Sequence, residues 1–235
     1  MRLIIAILVC IHISVFSRAQ KVREVTIFPG QDHAKSFPAK DRYKYPEFQD
    51  GYVITPDGKR SQRLKLNFDE VAKLPQFINE KRDSLYLDKD LAEYVQIKST
   101  TYFHAKDYYE IIETSPTIKM AIVRSWRLAR IETPYESPRD GQKTKTIARS
   151  GSNVIYSPSR GKMVPNENTV YARDSTYYFI DAKGKVQKAN RKGIVKLWPA
   201  HEAVIESFVE KEQIDFDKED DLSKLFDFFL QMQSN

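Results

Sequence analysis

Residues 51–68 hold the pattern that decides the fold of this chain: Gly51-Tyr52-Val53-Ile54-Thr55, then Pro56-Asp57-Gly58-Lys59, and after a short connection Leu64-Lys65-Leu66-Asn67-Phe68. The first five residues favour a β-strand, and the Pro-Asp-Gly-Lys segment is typical of a turn. The last five alternate between apolar and polar side chains, as a strand with one buried face does. Strand, turn and alternating strand together predict an antiparallel hairpin.

Further strand pairs follow this hairpin, and we interpret residues 51–187 as one β-rich domain. Segments 94–97 and 101–104 predict one pair, and segments 107–113 and 118–130 predict a longer one. In the last of these segments apolar side chains recur at every second position, which indicates a strand with one buried face.

Other segments of the domain have different patterns. Residues 134–152 contain Pro, Gly and Ser and predict a loop, whereas residues 153–157 and 177–181 favour strands. Residues 69–79 are the best helix candidate of the domain, although Pro75 interrupts them. Helices are therefore expected to be rare in this part of the chain.

Two segments of the β-rich domain resemble each other. Residues 52–59 and 178–185 each combine an aromatic-rich strand with a turn that ends in Gly-Lys. Gly58 and Gly184 both stand where a hairpin turn needs a positive φ. Shared turn chemistry explains this similarity without a duplicated domain.

The regions on either side of the domain are built differently. Residues 20–50 form a turn-rich, extended lead-in, in which only 25–28 favour a short strand. Residues 188–235 change to helical spacing, with Asn190 as a cap for a short helix and Asp217 as a cap for the last one.

The last helix has one wide apolar face. Its members are Leu222, Leu225, Phe226, Phe228, Phe229, Leu230 and Met232. We expect this face to dock on the sheet as a helical cap. Phe228 and Leu230 widen the face beyond a single stripe, and they are the candidates for binding a partner protein. The fold class predicted from all these patterns is α+β: a mostly antiparallel sheet, able to curl, with a small C-terminal helical cap.

Residues 1–19 have the layout of a secretory signal peptide. A basic start at Arg2 precedes an apolar run, and Ser17 and Ala19 supply the small residues of a cleavage site. The apolar run is shorter than the roughly 20 residues that span a bilayer, so we predict cleavage after Ala19 rather than a membrane anchor. No later segment is apolar enough to span. We expect an exported protein that is periplasmic, envelope-associated or secreted.

The composition after cleavage is that of a globular domain. Large apolar residues precede Cys10, the one cysteine of the chain, so we do not expect it to carry a lipid, and cleavage would remove it. Loss of Arg2 and Arg18 lowers the net charge of +6 by two, to +4. Because basic and acidic residues are interspersed and no nucleic-acid motif is present, nucleic acid is not an expected partner.

The order of these features resembles a known group. It comprises the signal peptide, the Asp-Gly-Lys turn of residues 51–60, the β-rich middle and the tail of residues 177–230, with its landmarks Tyr178-Phe179-Ile180-Asp181, Gly184-Lys185, Trp198-Pro199, Ile205, Phe208, Ile214-Asp215-Phe216, Asp221-Leu222 and Leu225. This pattern is similar to that of a widespread group of uncharacterised exported proteins of Gram-negative envelope bacteria. The resemblance implies export and architecture, and it implies no catalytic residue.

The sequence contains no recognisable motif for catalysis or metal binding. His33, His104 and His201 are not spaced as metal ligands, and a pairing of His104 with Asp107 would still need a nucleophile from elsewhere. The acidic run that starts at Asp215 lacks the glycine and the bidentate glutamate of a calcium loop. We therefore predict no catalytic, cofactor-binding or metal-binding residue.

The sequence is compatible with three functional hypotheses. The leading hypothesis is a non-enzymatic envelope protein that acts through contacts with an envelope partner. The second is a glycan or small-ligand binding module, and the third is a hydrolase with dispersed carboxylates. For the second, the candidate ligand surface is a set of aromatic side chains: Tyr102, Tyr108, Tyr109, Tyr171, Tyr177 and Tyr178.

Overall fold

Thirteen strands and five α-helices lie within residues 23–132, 135–136, 143–144 and 167–234, the part of the chain that the computed structural model describes. The strands are β1 (Glu24–Ile27), β2 (Gln49–Ile54), β3 (Leu64–Asp69), β4 (Leu74–Ile78), β5 (Ser84–Tyr86), β6 (Tyr94–Ile97), β7 (Thr100–His104), β8 (Tyr108–Thr114), β9 (Ile118–Glu132), β10 (Tyr135–Glu136), β11 (Lys143–Thr144), β12 (Asn168–Asp181) and β13 (Val186–Lys188). The helices are α1 (His33–Ser36), α2 (Ala39–Arg42), α3 (Arg191–Leu197), α4 (Glu202–Lys211) and α5 (Glu219–Ser234).

Eleven of the strands form one antiparallel sheet that does not close on itself. Its order is β1-β12-β9-β8-β7-β6-β2-β3-β4-β5, and β13 pairs with β12 beside β1. β10 and β11 form a separate small pair. The α+β class predicted from the sequence is confirmed, because a few mainly C-terminal helices accompany this sheet.

The strand pairs predicted from the sequence form as antiparallel hairpins. β2 pairs with β3, β6 with β7, and β8 with β9. Residues 177–181 form the end of β12, and the expected strand near residue 25 is β1. The strand predicted at 153–157 and most of the loop predicted at 134–152 lie outside the described residues.

The helix predicted at residues 69–79 is wrong. The Asp69 carboxylate accepts hydrogen bonds from the backbone N–H groups of Val71 (3.0 Å) and Ala72 (2.9 Å), which holds a turn there. Lys73 then adopts a left-handed φ of 58°, and the chain returns as β4. Pro75 lies opposite Phe68 in that strand, where its missing N–H is tolerated better than inside a helix.

Three hairpin turns of the sheet share one geometry. Gly58 N–H donates to Thr55 O (2.9 Å), Gly184 N–H to Asp181 O (3.0 Å) and Arg82 N–H to Asn79 O (3.0 Å). In each turn this donor has a positive φ, of 78° at the two glycines and 66° at Arg82. The similarity of residues 52–59 and 178–185 therefore extends to the same turn chemistry.

The sheet curls, so that strands far apart in its order share one apolar cluster. Val71, just after β3, packs with Trp126 of β9, Tyr171 of β12 and Phe37 of the lead-in. The lead-in closes the gap between these strands: Trp126 Nε1 donates to Asp41 O at 2.9 Å, and Lys44 N donates to Phe68 O at 3.0 Å. We call this junction the seam.

The C-terminal helices cover one face of the sheet. Asn190 caps α3, since its side chain accepts a hydrogen bond from Gly193 N at 2.8 Å. Their core cluster contains Ile118, Met120 and Phe179 of the sheet with Ile194, Ile205, Val209, Leu222, Leu225, Phe226 and Phe229 of the helices. The cap predicted at Asp217 is wrong: α5 begins at Glu219, because the Asp215 carboxylate accepts from Asp217 N and holds a turn before it.

Candidate ligand-binding site

A pocket of about 460 Å³ opens on the outer face of the sheet, where β2, β3 and β6 lie side by side. Val53, Leu66 and Val95 of these strands belong to the core, so alternation along the strands turns Tyr52 and Gln96 outward. The lining residues are Asp50, Gly51, Tyr52, Arg60, Ser61, Arg63, Gln96 and Lys98. Every lining residue except Gly51 has a polar or charged side chain, and three of them are cations.

Gly51 lines the outer pocket where β2 approaches β6 closely. A Cβ at this position would lie 2.1 Å from the Gln96 carbonyl oxygen and 2.9 Å from the Leu66 side chain. No other residue can therefore occupy the position without moving β2 away from β6. The spacing of β2 and β6 beside the pocket therefore depends on a glycine at this position.

Tyr52 and Gln96 form the wall of the pocket. The Tyr52 hydroxyl donates to Oε1 of Gln96, and Gln96 Nε2 donates to the Lys98 carbonyl oxygen at 3.2 Å. The Arg60 guanidinium carbon lies 3.4 Å from the centroid of the Tyr52 ring, close enough for a cation–π contact. These contacts fix both the wall and the Arg60 side chain.

The charges of the pocket do not balance. The Asp50 carboxylate lies 2.8 Å from Lys65 Nζ and 3.9 Å from Arg63 Nη1. The hydrogen bond from Lys65 and the charge of Arg63 hold the pKa of Asp50 below its usual value, so the carboxylate is ionised at neutral pH. Arg60 and Lys98 have no carboxylate partner within the described ranges. The pocket therefore presents two uncompensated positive charges.

Lys98 occupies an unusual backbone position. It is the first residue of the two-residue turn between β6 and β7, and its φ is 55°. Turns with positive φ at this residue favour glycine. Lys98 N donates to the Asp50 carbonyl oxygen at 3.0 Å, which ties the turn to β2.

A second group of charged side chains lies at the seam, inside the curl, and there the charges are paired. We call Lys44, Glu70, Glu110, Arg124 and Arg173 the seam cluster. Lys44 Nζ lies 2.7 Å from Glu110 Oε1, and Arg124 donates to the same carboxylate. Arg173 donates to the buried Glu70 carboxylate. Burial raises the pKa of Glu70, and the positive charges of Arg173, Lys44 and Arg124 only partly offset this.

The cavity beside the seam cluster is too small for an organic ligand. It measures about 10 Å³ and is lined by Phe68, Tyr102, Tyr108 and both glutamates, among others. That volume is close to the space that a single water molecule needs. Glu70 and Glu110 are convergent carboxylates, but no sugar ring fits between them.

Asp69 anchors the lead-in to the other side of the seam. Its side chain is fully buried and accepts a hydrogen bond from Arg42 Nε at 2.8 Å. The Tyr86 hydroxyl donates to the same carboxylate oxygen at 2.8 Å, and burial next to this negative charge raises the pKa of Tyr86 well above its usual range. Like the seam cluster, this group joins distant segments of the chain.

The tyrosines proposed from the sequence as a ligand surface are distributed over four different clusters. Tyr102 and Tyr108 pack with Phe68, the first of them stacked at 4.3 Å between ring centroids. Tyr109 and Tyr178 meet on the opposite face of the sheet. Tyr171 lies at the seam, and Tyr177 packs against the helical cap. Only Tyr177 and Tyr178 are half-buried rather than buried. A ligand-binding role for this set stays a prediction.

Phe228 and Leu230, proposed as partner-binding residues, are partly buried in the helical cap. The Phe228 ring stacks on Phe208 of α4, with 4.1 Å between the centroids. Leu230 packs against the same cluster. A role of these two residues in binding an envelope partner stays a prediction.

The histidines do not form a metal site in the described part of the chain. Tyr171 Oη lies 3.0 Å from Nδ1 of His33, and His104 Nδ1 lies 3.1 Å from the Ala92 carbonyl oxygen. Among the described residues no group of three or more His, Cys, Asp or Glu side chains is placed to hold a metal ion. Within the same residues, no helix combines the length and apolarity needed to cross a membrane.

Comparison of the chain with models of known protein families, with curated proteins and with solved structures gave no match.

Sequence reasoning missed the outer pocket, although one signal pointed to it. The loop after Gly58 reads Lys59-Arg60-Ser61-Gln62-Arg63-Leu64-Lys65, with four cations in seven residues. This density of charge next to a hairpin turn could have marked an anion-binding loop. Gln96 and Lys98 carried no such signal, because they reach the pocket only through the pairing of β2 with β6.

Proposed function

We propose that this protein is a non-enzymatic, exported binding module that holds a small anionic ligand in the outer pocket. The observation that carries the proposal is the charge of the pocket: Arg60 and Lys98 face a 460 Å³ space without a carboxylate partner in the described chain. Cations on low-dielectric walls concentrate anions from solution.

The rest of the site supports binding rather than catalysis. The one carboxylate that lines the pocket, Asp50, already pairs with Lys65 and Arg63 and keeps a low pKa, so it is a poor general acid. The wall is fixed by the Tyr52–Gln96 hydrogen bond. A preformed, rigid wall lowers the entropic cost of binding. Export rests on the signal-peptide pattern of residues 1–19.

Thermal unfolding with a panel of small anions tests the proposal. A ligand that binds only the folded protein raises the melting temperature. We expect phosphate, sulfate or an acidic sugar to raise it for the natural protein and not for the double variant Arg60→Gln, Arg63→Gln. The double variant Lys81→Gln, Lys89→Gln makes the same change in net charge at exposed positions outside the pocket, and it should keep the response.

Two outcomes would contradict this function. One is a panel in which no anion stabilises the natural protein beyond the effect of sodium chloride at equal ionic strength. The other is an equal loss of the response in both double variants, which would mean that net charge rather than the pocket attracts the anion.

A further inference from the structure

Lys98 combines two features that local structure does not require. It occupies a left-handed position in a two-residue hairpin turn, where glycine is favoured. Its side chain is exposed and makes no hydrogen bond or ion pair within the described residues. A lysine therefore brings backbone strain to this turn without a side-chain contact, among the described residues, that stabilises the fold.

A left-handed backbone alone does not point to a ligand, because Arg82 shares it. Arg82 has a φ of 66° and is also an exposed cation in a hairpin turn. The difference is the location: Lys98 lines the outer pocket and Arg82 does not. Strained backbone conformations cluster at binding and catalytic sites.

Lys98 and Arg60 reach the pocket from two separate turns. Arg60 follows the turn that ends β2 and is held over the Tyr52 ring. Lys98 follows β6, and its carbonyl oxygen accepts a hydrogen bond from the Gln96 side chain. Tyr52 donates to that same glutamine side chain, so the two cations belong to one hydrogen-bonded wall.

We infer that Lys98 and Arg60 together bind a tetrahedral oxyanion, a phosphate or sulfate group of the ligand. This inference rests on the proposed function and names the ligand chemistry of the same pocket. A phosphate group carries a charge of about −1.5 to −2 at neutral pH, which matches two uncompensated cations better than a carboxylate does. A guanidinium donates two parallel N–H groups to such an oxyanion, and an ammonium adds a point charge.

The test is a titration of the purified protein with inorganic phosphate by calorimetry, repeated on Lys98→Gly and Arg82→Gly. Both substitutions remove one cation and relieve one left-handed residue. We expect Lys98→Gly to weaken phosphate binding about tenfold, as the loss of one charged hydrogen bond would. Arg82→Gly should leave phosphate binding unchanged. Both variants should melt about 2 °C higher than the natural protein, because glycine relieves the strain.

Parallel titrations identify the source of the oxyanion and separate the two proposals. Glycerol 3-phosphate tests a phosphate ester, a monosaccharide sulfate tests a sulfated sugar, and acetate tests a carboxylate. Acetate binding as tight as phosphate binding would overturn the oxyanion inference and leave an anionic ligand in place. Unchanged phosphate binding in Lys98→Gly, with binding lost in Arg60→Gln, Arg63→Gln, would overturn the role of Lys98 alone. If no anion binds the natural protein, the proposed function fails together with this inference.

Discussion

The outer pocket and the seam cluster both concentrate charged side chains on the same sheet, and they use them in opposite ways. At the seam, the Glu110 carboxylate forms ion pairs with Lys44 and Arg124, and the Glu70 carboxylate forms an ion pair with Arg173. In the pocket, counting Lys65, there are four cations and one carboxylate, and within the described chain that carboxylate, Asp50, pairs only with Lys65 and Arg63. Paired and buried charges hold distant segments together, whereas uncompensated and exposed charges leave interaction energy for a ligand.

The largest expected effect comes from removing one buried carboxylate beside the seam cluster, that of Asp69, and comparing it with removal of the Asp50 carboxylate from the pocket. Asp69→Ala would remove the ion pair of Asp69 with the half-buried Arg42 and the side-chain acceptor of two backbone N–H groups. Breaking a buried pair from one side costs about 3–5 kcal/mol, so we expect a loss of that size in the free energy of unfolding. Asp50→Ala should leave the midpoint of urea unfolding almost unchanged, because that carboxylate is exposed. Equal midpoints for the two variants would refute the distinction.

A second test uses salt, which screens exposed charges far more than buried ones. Between about 0.05 M and about 0.5 M sodium chloride, phosphate binding to the outer pocket should weaken about tenfold, as the screening length falls below the size of the pocket. The free energy of unfolding should change little, because the seam carboxylates are buried or nearly so. Calorimetry measures the phosphate affinity at both salt concentrations, and urea unfolding measures the free energy of unfolding at the same two concentrations. Phosphate binding that is insensitive to salt would argue against recognition of the anion by the exposed charges of the pocket.

The two regions also differ in how far the sequence reveals them. Local patterns predicted the hairpins, the Asn190 cap and the apolar faces of the C-terminal helices, because strand alternation and helical spacing lie within a few residues. The seam depends on contacts such as Trp126 with Asp41, which are 85 residues apart in the chain. No local period encodes a contact of that kind.

The same reasoning explains the errors of prediction. Residues 69–79 contain helix-forming side chains, and tertiary pairing of β4 with β3 overrides that preference. The tyrosines are abundant, but alternation along β7 and β8 distributes neighbours such as Tyr108 and Tyr109 to opposite faces. The cationic loop of residues 59–65 is a local sequence signal for one side of the pocket. The other side, with Gln96 and Lys98, depends on the register of β2 against β6.

A smaller test concerns the turn that carries Arg60 into the pocket. Gly58 and Gly184 have the same φ of 78° in turns of the same geometry, and neither has backbone in the way of an added Cβ. Gly58→Ala and Gly184→Ala should therefore each cost about 1 kcal/mol in the free energy of unfolding, from backbone strain alone. Only Gly58→Ala should also weaken phosphate binding, because only its turn leads into the pocket loop. Weaker binding in both variants would show that the pocket responds to global stability instead.

The smallest expected effect is the pH dependence that Glu70 gives to the seam. Burial raises the pKa of this carboxyl in the folded protein above its ordinary value of 4.5, so folding favours its protonated form. Its contribution to stability is therefore fully present below pH 4.5 and is lost as the pH rises through the raised pKa. Glu70→Gln keeps the shape without the charge, so its stability relative to the natural protein should increase over that pH range. Urea unfolding of both proteins from pH 4 to pH 7 measures this difference. If the stability of Glu70→Gln relative to the natural protein decreases instead as the pH rises, the ion pair with Arg173 outweighs the cost of burial. Ionised Glu70 would then stabilise the seam.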